Sequence, residues 1–103
     1  NVPRPEAEIA RRFREVVGTL ESAKAAMRCR DMVSALEGLG FEVRDGKKPD
    51  HKVVLHDRIP EFRSASFTCG HGRNPEIKPI YVKRIRSLLL RYEDAILSFL
   101  EVR

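Results

Sequence analysis

The sequence predicts a two-layer α+β domain, ordered helix, helix, three antiparallel strands, helix, around one modest core. Three observations carry this. Apolar residues recur at helical spacing near both ends of the chain. Between them the texture changes to short alternating or β-branched runs punctuated by Gly, Pro and Asp. The chain has 103 residues, 42% hydrophobic and 34% charged, which suffices for one core and excludes a large multi-domain cofactor enzyme.

Residues 5–27 read as the first helix. Pro5 suits a first helical position, and Glu6 and Glu8 favour the N-terminal dipole. Ile9, Phe13, Val16, Val17, Leu20 and Met27 form its apolar stripe, while Gly18 weakens its centre. Residues 30–39 read as a shorter helix with Val33, Leu36 and Leu39 as its stripe and Gly40 placed to end it. Phe41 to Arg44 alternates as a short strand, and Asp45 to Asp50 is a loop. His51 to Asp57, centred on Val53, Val54 and Leu55, is the best strand in the chain. Arg58 to Glu61 turns around Pro60, and Ser64 to Cys69 alternates small polar with apolar residues. Gly70 to Pro79 is a loop. Residues 80–101 then read as one long helix on Ile85, Leu88, Leu89, Tyr92, Ile96, Phe99 and Leu100. Short links between three consecutive strands imply an antiparallel meander, with helices on one face and the other face available for binding.

The chain carries +5 at neutral pH, which permits an anionic partner without demanding one. The charge is concentrated: Arg73, Lys78, Lys83, Arg84, Arg86 and Arg91 share a window with one acid, Glu76. Clustered charge points to a polyanion better than total charge does, although a solvated helix face would look the same. Arg84, Ser87 and Arg91 share a helical face, a pattern able to follow a phosphate backbone.

Two cysteines, Cys29 and Cys69, with no signal-peptide pattern at Asn1–Pro5, read as half-buried free thiols of a cytoplasmic protein. No apolar run approaches the roughly 20 residues that span a bilayer. Cys29, His51, Cys69 and His71 make a weak zinc set without finger spacing, so no metal and no cofactor is expected. No nucleophile elbow, phosphate loop or dinucleotide fingerprint is present. His51, opening the central strand at the wet sheet edge, is the best acid–base candidate, because an imidazole exchanges protons near neutral pH. A surface or packing role is the plainer alternative. His56, five residues on, belongs to the opposite face of a regular strand and does not pair with it.

Three stretches then resemble the HicA family, the small toxin of a toxin–antitoxin pair. Arg30-Asp31-Met32-Val33 through Leu39-Gly40-Phe41 matches its opening helix. Asp50-His51-Lys52-Val53-Val54-Leu55 matches the strand that begins at its catalytic histidine. His71-Gly72 through Ile77-Lys78-Pro79, with Val82 to Leu89, matches its closing loop and helix. The likeness covers residues 29–97. In place of the family's usual Gly-Ser before the histidine stands Gly46-Lys47-Lys48-Pro49-Asp50, a longer loop.

The resemblance implies a double-stranded-RNA-binding-like α-β-β-β-α domain over residues 28–103, preceded by a helical extension over residues 1–27. It implies a metal-independent endoribonuclease acting on mRNA, with His51 as catalytic acid or base and Lys52, the next residue, as a catalytic candidate to stabilise the phosphate charge. Lys47, Lys48, His71, Arg73, Lys78, Lys83, Arg84, Arg86 and Arg91 would contact RNA. A HicB-like antitoxin would cover the same face. A non-catalytic RNA-binding module, or a degenerate toxin of this fold, is the alternative.

Overall fold

The computed structural model describes residues 5–22, 27–48, 50–70 and 72–102. The elements are α1 (Pro5–Ser22), β1 (Met27–Arg28), α2 (Cys29–Gly38), β2 (Glu42–Asp45), β3 (His51–Leu55), β4 (Ala65–Thr68), β5 (Glu76–Ile77), α3 (Pro79–Arg91) and α4 (Glu93–Val102). The α+β class and the antiparallel meander β2-β3-β4 are as the sequence predicts, with helices before and after the sheet in the chain.

Three elements differ from expectation. The first helix is described over Pro5–Ser22, and Met27 is not its last apolar residue but starts β1, where it pairs with Ile77 of β5. Strands of two residues show no alternation, and this small second sheet is set by burial of Met27 and Ile77 rather than by local pattern. The long closing helix is two helices broken at Tyr92, whose φ of −105° and ψ of 21° leave the α-region. No Gly or Pro forces the break. It lets the Tyr92 ring meet Phe62, 5.4 Å away edge to face, while Ile96 is fully buried. Arg91 closes α3, and Glu93 and Asp94 open α4, each on the side its helix dipole favours.

Alternation along β3 separates the two sheet faces. Val54 and Phe67 are buried on one, with Val43 and Ala65 beside them. On the other, His51, Val53, Leu55 and Thr68 are half-buried, and Glu42, Arg44 and Ser66 are exposed. Phe13, Val17 and Leu20 of α1 belong to the same core as the sheet, and α1 packs on α3 and α4. The first helix is thus an integral part of one core.

Two corners fix the chain around the sheet. At the first, the Phe41 N–H bonds the Leu36 carbonyl at 3.1 Å, and Gly40 adopts a φ of +92°. A Cβ on Gly40 would lie 2.2 Å from Cε2 of Phe99, so α4 docks there only against a glycine. At the second, Cys29 and Cys69 form a disulfide with their Cα atoms 5.6 Å apart. This corrects the expectation of free thiols. The first residue of α2 and the residue after β4 meet in the core, at 7% and 3% exposure, and no local spacing reports that convergence. Disulfides persist in oxidising surroundings, so the cysteines no longer argue for a reducing cytoplasm. Among the described residues no helix is long and apolar enough to cross a membrane.

His56 lies one residue beyond β3 and is 6% exposed. Its ring stands edge-on between Phe41 and Phe99, at 4.8 and 4.6 Å. Its Nδ1 accepts the Arg58 N–H at 3.2 Å, which fits the neutral ring, while Nε2 makes no hydrogen bond of ordinary geometry. Burial pushes the His56 pKa below the usual imidazole value, against smaller opposing effects of the Leu39 backbone and the Asp57 charge. A histidine with a lowered folded pKa contributes stability above its unfolded pKa, near ~6.5, and that contribution is lost as pH falls through the folded value. Thermal melts between pH 7 and 5 should therefore show declining stability, and His56→Phe should flatten the slope. Equal slopes for the two proteins would refute this.

Candidate active site

His51 begins β3, the central strand of the meander. Two backbone bonds close the loop that leads to it. The Gly46 N–H donates to the His51 carbonyl at 2.7 Å, and the His51 N–H donates to the Lys48 carbonyl at 3.0 Å. The start of β3 is also tied sideways, because the Cys69 N–H donates to the Asp50 carbonyl at 2.7 Å. Cys69 is itself held by the disulfide, so the backbone on either side of the imidazole is anchored.

Gly46 matters here for its missing side chain. A Cβ at this position would sit 3.0 Å from His51 Cγ and 3.3 Å from Cδ2, closer than ordinary packing allows. The ring lies over the glycine, on the open face of the sheet and opposite Thr68. Gly46→Ala should displace the ring by a few tenths of an ångström, enough to lower a reaction rate about tenfold through misplacement of the acid–base group. RNA affinity should stay unchanged. Steady-state kinetics beside a binding titration would check it, and an unaltered rate would show that ring position at Gly46 is unimportant.

Lys52 does not stand beside His51. Adjacent strand residues point to opposite faces. Lys52 lies on the helix-facing side, opposite Phe67, where its Nζ bonds Asp45 Oδ1 at 2.5 Å. Lys52 and His51, both catalytic candidates in the sequence, therefore lie on opposite faces, and the alternation that separates them was readable from the sequence. The cations nearest His51 in the chain on the loop side are Lys47 and Lys48, both exposed. Arg44, two residues before Gly46 in the sequence, shares His51's face but pairs with Glu42.

The remaining candidates separate into groups. Arg73 and Lys78 are exposed at either side of β5. Lys83, Arg84 and Arg91 are exposed on α3, with the Arg84 guanidinium 5.7 Å from the Tyr81 ring centroid. Arg86 is drawn the other way: half-buried, it reaches Glu21 of α1 at 3.6 Å and braces two helices. Glu76, the lone acid of the basic window, pairs with Arg28 at 3.5 Å, which leaves the window's outward cations unopposed by it. His71 lies outside the described residues. Sequence reasoning misses Gly46 and Thr68 as partners of His51, although the meander register contains the second. Among the described residues no group of three His, Cys, Asp or Glu side chains gathers as a metal site, and both cysteines are engaged with each other.

Compared with family models, with curated proteins and with solved structures, the chain matches none.

Proposed function

We propose that this protein is a HicA-like endoribonuclease of double-stranded-RNA-binding-like fold that cleaves single-stranded mRNA at His51. The observation that carries the reading is an imidazole at the head of the central strand, on the open sheet face, with both flanking backbone segments tied down and two lysines in the loop before it. That is the arrangement a general acid–base group needs: a fixed ring, accessible from one side, next to positive charge.

The reaction is transfer within the substrate. His51 takes the proton from a ribose 2′-hydroxyl, and that oxygen attacks the adjacent phosphorus. Negative charge gathers on the phosphate oxygens, where Lys47 and Lys48 stabilise it. The bond to the 5′-oxygen breaks, and an acid returns a proton to it. The products are a 2′,3′-cyclic phosphate and a 5′-hydroxyl. His71 is the proposed second acid. The nucleophile is the substrate's own hydroxyl, so the chemistry requires no metal and no cofactor. Arg73, Lys78, Lys83, Arg84 and Arg91 hold the rest of the strand through phosphate contacts. An acidic HicB-like protein partner fits the same positive surface and would silence the site by covering it.

The test uses a defined single-stranded RNA and the DNA of the same sequence, incubated with purified protein in excess chelator. Cleavage of RNA alone, with cyclic phosphate ends, is expected. Cleavage of the DNA would sink the mechanism. The geometry of Lys52, turned away from His51, favours a second reading: a module of this fold that binds RNA without cutting it. RNA retained on the protein but intact after long incubation would select that reading.

A further inference from the structure

The outer stripe of α3 does not face empty solvent. It forms one wall of a groove of about 720 Å³, and the segment that links β3 to β4 forms the other. The helical wall follows from spacing: positions 80, 83, 84, 87, 88 and 91 fall on one face of α3, while Val82, Ile85 and Leu89 are buried on the opposite side. The facing wall brings Arg63, which lies twenty residues from the nearest helical cation in the sequence and outside the basic window.

The groove's lining combines positive charge with apolar surface. Arg63, Lys83, Arg84 and Arg91 line it against one acid, Glu61, and none of the four makes a salt bridge among the described residues. Ser87 puts a hydroxyl between Arg84 and Arg91, the two arginines that α3 contributes to the groove. Ile80 is 56% exposed, the most open large apolar side chain among the described residues, and with half-buried Leu88 it offers a surface for a flat group. Guanidinium forks on two walls, free of salt bridges among the described residues, suit phosphate oxygens, which they grip in pairs. Apolar surface between them suits a ribose and base.

We infer that this groove is a nucleotide subsite, separate from His51, in which one segment of a single-stranded RNA lies with its phosphates between Arg63 and the Arg84–Arg91 edge and a base on Ile80 and Leu88. The inference rests on the RNA reading above and adds to it a second grip, contributed partly by Arg63. His51 heads β3, whereas the groove abuts the segment leading into β4, at the far end of the meander. The grip therefore acts on binding and on which stretch of RNA is presented, and not on the chemical step.

The test is fluorescence anisotropy with a labelled short single-stranded RNA, alongside cleavage kinetics. The variants are Arg63→Glu and Ser87→Glu, both at exposed positions. Arg11→Glu, exposed on α1, makes the same charge change as Arg63→Glu away from the groove. Each groove variant should weaken RNA binding by about tenfold or more, raise KM and leave kcat unchanged. The slope of log affinity against log salt should fall by roughly 0.7 for each phosphate that is no longer neutralised. Arg11→Glu should do little. If the wild type binds RNA and the groove variants bind it equally well, the subsite is wrong and the RNA reading stands. If the wild type binds no RNA, the RNA reading itself falls. If the groove variants instead lose a labelled polyglutamate that the wild type holds, with RNA binding unaltered, the groove belongs to an acidic protein partner. A fall in kcat with unchanged KM would assign these residues a structural role and overturn the inference.

Discussion

Replacing His51 with alanine should slow RNA cleavage by roughly 10²–10⁴, the usual worth of a positioned acid–base group, with RNA affinity unchanged. The separation of binding from rate is what the geometry demands. His51 opens the central strand on the open sheet face, while the outward cations of α3 lie on another element. Lys52→Ala supplies the contrast. Its ammonium is engaged with an exposed carboxylate on the other side of the sheet, an interaction worth about 0–1 kcal/mol of stability. Its removal should leave the rate within a few-fold of wild type. Equal losses in the two variants, measured as single-turnover rates at saturating RNA, would show that position on the strand does not decide the chemistry.

Opening the disulfide should have the largest effect on stability. The Cys29–Cys69 bond closes a loop across a sequence separation of 40, and a constraint on that length of unfolded chain is worth roughly 4 kcal/mol. For a domain of this size that corresponds to a Tm lower by roughly 15–30 °C. The Cys29→Ser, Cys69→Ser double variant and the reduced wild type should melt together, well below the oxidised protein. A difference under about 5 °C would mean that hydrogen bonds and packing at this corner suffice without the cross-link. The local consequence follows from the bond between the Cys69 N–H and the Asp50 carbonyl. The donor that anchors His51's strand is the cross-linked residue Cys69 itself, and its acceptor, Asp50, is one residue from His51, so activity should decline on reduction before global unfolding begins.

The meander was legible because its strands obey a period of two and its links carry Gly, Pro and Asp. Val54 and Phe67 on one face, and His51 and Thr68 on the other, follow from that period alone. The second sheet was not legible, since Met27–Arg28 and Glu76–Ile77 are too short for any period and lie far apart in the chain. The break at Tyr92 was visible in charge and not in hydrophobicity. The apolar stripe runs through it, whereas the step from Arg91 to Glu93-Asp94 is the sign of one helix ending and another beginning. Of the candidate site, His51 was readable and its neighbourhood only in part. Adjacency suggested Lys52, and alternation takes it away. The disulfide and Arg63 depend on segments that meet only in three dimensions, and they left no periodic signal.

The cross-link also divides the chain mechanically. Tension applied at the two ends runs through residues 1–29 and 69–103 and bypasses the closed segment between the cysteines, which holds β2, β3 and β4. Pulling should strip α1, α3 and α4 from the core, while the strand that bears His51 lies outside the line of force. About 140 Å of contour length, some 40 residues at roughly 3.5 Å each, stays hidden until a reductant is added. Under tension the meander is thus carried as a closed loop on the chain.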